Sequence, residues 1–335
     1  MQTPRPLAWI PLALIAACGL AACGSKSAVP GETRIGIVAK SLGNGFFDAV
    51  HKGADEAAAE LHVKIIFTGP TTPTAEGQAE VINALIAQHV DAIAVSANDP
   101  DALVPALQRA MQRGIKVVSF DSAVDAKGRI AHLAPSSDAL IGETCAQLAA
   151  QLVPNATGKI AVVSATPTST NQNSWLAQMK PALAQHPSLN LVEVVYGDDV
   201  SDKSYRETVA LIKRYPDLAA IVSLSSVGIV AAAKAVEDQG QSGKIKVTGL
   251  GLPSELAGYV KSGTVEKFAI WNPIDLGYSI TYVANALVRD KLTQAPPSVA
   301  AGRMGDIAFG ADGVGAMAKP FIYDRGNIDQ FARVF

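Results

Sequence analysis

Cysteine is scarce in this 335-residue chain: three occur, Cys18, Cys23 and Cys145, the first two inside an apolar N-terminal stretch. If that stretch is removed, one thiol remains and no internal disulfide can form. Cys145 falls in the helical spacing Ile141, Cys145, Leu148, Leu152, the pattern of a buried small hydrophobe rather than a nucleophile. Histidine is also sparse, and His51, His62, His89, His132 and His186 lack metal-ligand spacing. Charged residues make up only 17% of the chain, with a net charge of −2 and no long basic run, so no electrostatic footprint for nucleic acid is present. Neither Gly-x-Ser-x-Gly nor Gly-x-x-x-x-Gly-Lys occurs. Gly249-Leu250-Gly251 follows a strand pattern, but Ser254 stands where a dinucleotide fingerprint needs its third glycine, so the segment reads as a turn. Asp198, Asp199 and Asp202 lack the calcium-loop spacing and read as a solvated loop opening a helix. These absences predict a chain with no catalytic residue, metal or cofactor.

What is present begins at the N-terminus. Arg5 precedes an apolar run from Leu7 to Leu20, which closes on Leu20-Ala21-Ala22-Cys23-Gly24-Ser25. A charge, a short apolar segment and small residues define an export signal over residues 1–22. A membrane span needs about 20 apolar residues, and this run is shorter and broken by Pro11. The Leu-Ala-Ala-Cys string resembles the bacterial lipobox, which implies an acylated Cys23 as the new N-terminus. Cys18, in Ile15-Ala16-Ala17-Cys18-Gly19, is a weaker second match. The expectation is a chain exported to the periplasm and held to the membrane by lipid.

From Arg34 the pattern alternates. Strand-like runs at Arg34–Ala39, Val63–Phe67, Ala92–Val95 and Ile115–Phe120 are separated by apolar residues at helical spacing, such as Val81, Leu85, Ile86 and Leu103, Leu107, Met111. The alternation then restarts, with strands at Lys159–Ser164, Leu191–Val195, Ala220–Val222, Ile245–Thr248 and Lys267–Ile270. Helices are predicted around Trp175–Gln185, Ser204–Arg214, Ile229–Gln239 and Ser254–Lys261. Continuous apolar strands alternating with helices require a parallel sheet covered on both faces. Some nine strands exceed a comfortable single sheet, so the predicted fold is α/β, two doubly wound parallel-sheet lobes joined by a hinge. The expected division places 34–134 with 276–306 in one lobe, and 135–275 with 307–335 in the other. Crossings are expected near Ala134-Pro135 and Asn272–Leu276. The Gly- and Pro-rich stretch Ala295–Gly315 reads as a chain crossing before a last helix near Gly326–Phe331.

In open α/β sheets, ligands bind beyond the carboxyl ends of the strands. That rule singles out Lys40, Ser41, Asn44, Phe46 and Phe47 after the first strand, Ser96, Asn98 and Asp99 after the third, and Asp121 and Ser122 after the fourth. In the second half it singles out Thr170, Asn171, Gln172 and Trp175, then Ser223, Ser225 and Ser226, and finally Trp271, Asn272 and Asp275. Amides and carboxylates suit hydroxyls that both donate and accept. Aromatic rings suit the C–H faces of a sugar. Several of these residues have plainer readings: Asp121, Asn171, Ser225 and Ser226 as helix caps, and one of Phe46 and Phe47 as core.

With those residues in view, the chain is similar to the periplasmic sugar-binding proteins of ABC importers, the type I periplasmic binding proteins of the ribose-binding kind, and most of all to rhamnose-binding members. The resemblance spans nearly all of the mature chain. It is carried by Ala39-Lys40-Ser41-Leu42-Gly43-Asn44-Gly45-Phe46-Phe47-Asp48, Val95-Ser96-Ala97-Asn98-Asp99-Pro100, Thr168-Ser169-Thr170-Asn171-Gln172-Asn173, Tyr196-Gly197-Asp198-Asp199 and Ala269-Ile270-Trp271-Asn272-Pro273-Ile274-Asp275. Autoinducer-2-binding proteins are a sister group, sharing the lysine matched by Lys40 and the aspartate matched by Asp121. They carry Asp-Gln where this chain has Asn171-Gln172, and Pro-Asp-Ala where it has Leu224-Ser225-Ser226. General ribose binders carry an arginine where Ser122 stands. The resemblance implies a ligand site built from Lys40, Asn44, Phe46, Phe47, Ser96, Asp121, Asn171, Gln172, Ser225, Trp271, Asn272 and Asp275. It also implies a deoxysugar ligand with L-rhamnose favoured, an inner-membrane ABC permease as partner, and a monomer. A sugar-responsive repressor on this fold would need a helix-turn-helix ahead of Arg34, where the export signal lies. An enzyme would need a nucleophile and base that the list lacks.

Overall fold

The computed structural model describes Met1 and residues 31–335; the signal segment, Cys18 and Cys23 lie outside the described residues. Thr33–Phe335 forms one unit. Its first half runs β1 (Arg34–Val38), α1 (Gly45–Leu61), β2 (Lys64–Thr68), α2 (Ala75–Ala87), β3 (Ala92–Val95), α3 (Val104–Gln112), β4 (Lys116–Phe120) and β5 (Ala131–Ala134). The second half continues with α4 (Asp138–Leu152), β6 (Gly158–Ser164), α5 (Thr170–Leu183), β7 (Leu189–Tyr196), α6 (Ser201–Arg214), β8 (Leu218–Ser223), α7 (Ser226–Asp238), β9 (Lys246–Gly249), α8 (Pro253–Ser262) and β10 (Lys267–Ile270). The chain ends with α9 (Pro273–Arg289), β11 (Ser298–Ala300), β12 (Asp306–Ala308), β13 (Val314–Ala316), β14 (Phe321–Asp324) and α10 (Ile328–Phe331).

Two sheets result, as the apolar strands demand. The first has the order β13-β5-β4-β3-β1-β2, with every pairing parallel. The second has the order β7-β6-β8-β9, also parallel. It is extended by bridges from β9 and Leu250 to Val265 and β10, and then by antiparallel β14. Ile35, Ile37 and Val38 in β1, and Ile160 to Val163 in β6, are wholly buried, because helices cover both faces. In both halves the strand order reverses next to the first strand, β1 or β6. That is the topological switch point at which ligands settle in such folds.

Helix α9 follows the second-half strand β10 but packs against α1 of the first half. The approach is close because both helices use glycine there. A Cβ at Gly53 would lie 1.8 Å from the Ile274 carbonyl oxygen, and one at Gly277 would lie 1.9 Å from that of Val50. Three segments therefore pass between the halves: one between β5 and α4, one between β10 and α9, and one between β13 and β14.

The stretch Ala295–Gly315, expected to be a plain crossing, instead contains the antiparallel pair β11 and β12. The expected boundary at 307 is also displaced. Val314–Ala316 joins the first sheet beside β5, and the chain passes to the second half only after it, with Phe321–Asp324 beside β10. Strands of three residues are too short to leave a periodic signal, and glycine beside them reads as loop. Strand β5 was missed for a different reason: its four residues, Ala-His-Leu-Ala, carry weak β propensity.

Candidate functional site

The switch points bring the strand ends of both halves to one cleft. Backbone bonds carry the chain from β1 into this site, and Gln78 of α2 fixes its path. The Gln78 amide donates to the carbonyls of Ala39 at 3.0 Å and Ser96 at 2.7 Å, while its oxygen accepts the Asn98 N–H at 2.8 Å. Asn98 in turn donates to the Lys40 carbonyl at 2.9 Å. Lys40, only 3% exposed, is thereby aimed across the gap. Its Nζ donates to Ser169 Oγ at 2.8 Å and to Asn171 Oδ1 at 3.1 Å, both on the second half.

Asp121 follows β4 in the left-handed region, with φ of +55°. A non-glycine residue rarely sits there, and such strain concentrates at functional sites. Its Oδ2 accepts from Ser96 Oγ at 2.8 Å, and its Oδ1 accepts from Asn171 Nδ2 at 3.0 Å. Lys40 and Asp121 are joined by a relay: Asn171 takes the ammonium on its oxygen and gives its amide to the carboxylate. Burial pushes the Asp121 carboxyl above the usual range, opposed by the Lys40 charge and by the hydrogen bonds from Ser96 and Asn171.

An aromatic wall completes the cleft. Asn44 caps α1 by accepting the Phe46 N–H at 2.9 Å, which sets Phe46 and Phe47 at the start of the helix. Phe46 meets Phe47 edge-on at 5.2 Å and Trp271 at 6.1 Å, and Trp271 meets Trp175 at 5.4 Å. Both halves thus supply rings to one surface. The Trp271 indole N–H is buried with no acceptor among the described residues. The cleft is lined by Lys40, Asn44, Phe46, Phe47, Asp121, Asn171, Gln172, Trp175, Asp199, Ser225, Ser226, Ile270 and Trp271.

Nine of the twelve residues expected at the site line it; Ser96, Asn272 and Asp275 do not. Ser96 is wholly buried and acts by holding Asp121. Asn272 caps α9, accepting the Ile274 N–H at 3.0 Å and donating to Asp275 at 2.8 Å. Asp275 accepts from Arg303 at 3.1 Å, and Arg303 also holds Glu56 at 2.8 Å. These two residues brace the crossing into α9, because the helix start consumes their polar atoms. Ser225 combines both readings, lining the cleft and capping α7 through the Gly228 N–H at 3.1 Å. Gln172 lines the cleft while its oxygen accepts from Ser164 Oγ at 2.9 Å and the Ala165 N–H at 2.6 Å.

Asp199 corrects the sequence reading. It lies on the cleft wall rather than in a purely solvated loop, and it accepts a hydrogen bond from Ser225 Oγ. Gln78 was missed entirely, since a buried glutamine on a helix has no distinguishing sequence signal. Among the described residues, no group of three or more His, Cys, Asp and Glu side chains is placed to hold a metal ion. No described helix is long and apolar enough to cross a membrane.

Two doubly wound halves clasped over a polar and aromatic cleft define a binding protein of the two-lobed α/β class. The periplasmic binding protein domain matches residues 35–292, and the chain belongs to that family. It is similar to a solute-binding protein of an ABC transporter from Clostridium phytofermentas solved with bound L-rhamnose. That likeness has 35% identity and a TM-score of 0.86, covering 91% of this chain and 99% of the other. The D-ribose/D-allose-binding protein of Pseudomonas aeruginosa is 28% identical over 272 residues, covering 75% of this chain and 83% of the relative. LsrB of Clostridium saccharobutylicum, solved with AI-2, shares the fold with a TM-score of 0.84 but only 19% identity, covering 89% of this chain and 99% of that one.

Proposed function

We propose that this protein is the extracytoplasmic solute-binding component of an ABC sugar importer, binding a 6-deoxyhexose in the cleft and delivering it to an inner-membrane permease. L-rhamnose is the favoured ligand. The observation that carries the reading is the pairing of a buried polar relay, Lys40–Asn171–Asp121, with the aromatic wall of Phe46, Phe47, Trp175 and Trp271. The relay offers charge-assisted partners to ring hydroxyls. The rings pack against C–H faces and against the methyl group that a deoxysugar carries at C6. The similarity to a rhamnose-bound receptor supports that choice, and ribose- and allose-binding relatives support the wider sugar class.

Because the polar relay joins side chains from both halves, sugar binding is expected to shift the halves from open to closed by its differential affinity for the two states. Export places the receptor in the periplasm, and acylation of Cys23 would hold it at the membrane. Two acyl chains suffice for stable anchoring, whereas one is marginal. Intact mass of membrane-extracted protein tests this: an unmodified Cys23 terminus, or retention of Met1, removes the anchor from the proposal.

Calorimetric titration with L-rhamnose, L-fucose, D-ribose, D-xylose and autoinducer-2 tests the ligand. The expected result is tightest binding of L-rhamnose, in the micromolar range or better, corresponding to about −8 kcal/mol. Tight autoinducer-2 binding without a rhamnose signal would overturn the assignment in favour of the sister group.

A further inference from the structure

Asp199 occupies the cleft in an arrangement that the proposed sugar-binding role does not by itself require. It and its neighbour Asp198 both lie in the left-handed region, with φ of +52° and +55°. Two consecutive non-glycine residues in that region persist only where the surroundings hold them. Here the loop is pinned by the N–H groups of Gly197 to Ser164 O at 2.9 Å, of Asp198 to Ala165 O at 2.8 Å, and of Val200 to Gly197 O at 2.9 Å. Gly197 is squeezed against α6, where an added Cβ would meet Ser204 Oγ at 2.0 Å. The two carboxylates then separate. Asp198 turns to Lys203 at 2.5 Å, and Asp199 turns to the cleft.

Asp199 Oδ1 accepts from Ser225 Oγ, whereas Oδ2 makes no hydrogen bond to any described protein group. The cleft wall thus carries a second carboxylate, on the second half, whose charge acts on the Asp121 carboxyl of the first. Lys40, the cation of the cleft wall, directs two of its three Nζ protons to Ser169 and Asn171. A neutral sugar hydroxyl placed beside Oδ2 donates a charge-assisted hydrogen bond. A carboxylate or phosphate on the solute would meet an uncompensated negative charge in a partly buried space, where like charges repel strongly.

We propose that Asp199 is a specificity-determining residue, accepting a hydrogen bond from a hydroxyl of a neutral sugar and barring the corresponding sugar acid. The proposal rests on the sugar-receptor reading and adds to it the charge class of solute that the cleft admits.

The test is calorimetric titration of L-rhamnose, L-rhamnonate and D-ribose into the parent protein and into Asp199→Asn, Asp199→Gly and Asp198→Asn. Asparagine keeps the Ser225 contact and tolerates the left-handed conformation, and glycine adopts it freely, so at least one Asp199 variant should fold. The parent should bind L-rhamnose and discriminate against L-rhamnonate. Removing the Asp199 carboxylate should weaken L-rhamnose roughly tenfold or more and narrow the neutral-to-anionic ratio by a similar factor. Asp198→Asn should move neither value. A parent that binds L-rhamnonate as tightly as L-rhamnose overturns the proposal, as does an Asp199 variant, folded by its melt, that keeps the parent ratio. A parent that binds neither L-rhamnose nor D-ribose removes the sugar-receptor reading, and this proposal with it.

Discussion

Asn171 and Asp121 meet across the gap between the two halves, with the amide of one donating to the carboxylate of the other at 3.0 Å. The same amide group accepts from Lys40 through its oxygen at 3.1 Å, so one side chain reports the state of both charged residues. In the proposed clamshell closure, a residue that bridges the halves while lining the cleft would couple closure to ligand contact.

The first prediction concerns this relay. Asp121→Ala should weaken sugar binding by about one to two orders of magnitude, because a charge-assisted hydrogen bond in a buried site is lost. Asn171→Ala should act on the same scale, and Lys40→Ala combined with Asn171→Ala should cost less than the sum of the single changes, since both remove one network. Titration of the variants, with melts to establish folding, measures this. Strict additivity of Lys40 and Asn171 would show that the relay does not act as a unit.

A second prediction follows from the raised carboxyl of Asp121. At low pH both the folded and unfolded chains hold the proton and nothing is lost. As pH rises past the usual carboxylate value of 3.8, the unfolded chain releases its proton first, so stability falls until Asp121 itself ionises. Asp121→Asn has no such proton to lose. Urea melts of the sugar-free protein should therefore show the parent losing ground to Asp121→Asn between pH 4 and pH 7. A difference that stays constant over that range contradicts the burial argument.

His132 titrates with the opposite slope. Burial, aided by the nearby Arg129 charge, holds its pKa at about 3 against an ordinary 6.5, while Ser119 Oγ shares a hydrogen bond with Nδ1 at 2.9 Å. Above 6.5 both states are neutral and its contribution is complete; as pH falls from 6.5 towards 3 the unfolded chain takes up the proton first, and stability is lost. His132→Asn should flatten the acid side of the stability profile relative to the parent. Parallel acid limbs for the two proteins would show that His132 is not the group responsible.

The α1–α9 contact makes a packing prediction. Gly277→Ala places a methyl group 1.9 Å from the Val50 carbonyl oxygen, a clash with backbone that no rotamer relieves. The helices must separate, at a cost of about 1–3 kcal/mol or more. Gly258→Ala is the control, since nothing lies within 4 Å of its added Cβ and alanine favours the helix. Denaturant midpoints should fall for the first and hold or rise for the second.

Cys145 is wholly buried, and burial pushes its thiol up to about 12. In protein freed of residues 1–30 it should resist thiol reagents until the chain unfolds. Rapid labelling of the folded form would place it at the surface.

Much of this molecule follows from local pattern. Ala92–Val95 and Lys267–Ile270 were legible as strands to the residue, because continuous apolar runs between helical periods admit one arrangement. The same pattern located Lys40, Asp121 and Asn171, since the carboxyl end of a strand is a position defined by chain order. The short strands β5 and β11 to β13 were not legible, because the Ala-His-Leu-Ala of β5 has weak β propensity and the three residues of each of the others carry no period. Asn272 and Asp275 sit at a strand end like the others, yet the tertiary contacts of α9 and Arg303 take up their polar atoms. Asp199 shows the converse: an aspartate in an acidic loop reads as solvated until the loop is pinned in the left-handed region against Ser164 and Ala165. By itself the sequence determined the alternation of elements, the two-fold repeat of the α/β pattern and the chemical types available at the strand ends. Only the tertiary structure decided which of those polar atoms remain free to face a ligand, because a hydrogen-bonding group serves either the fold or the cleft according to partners that chain order does not name.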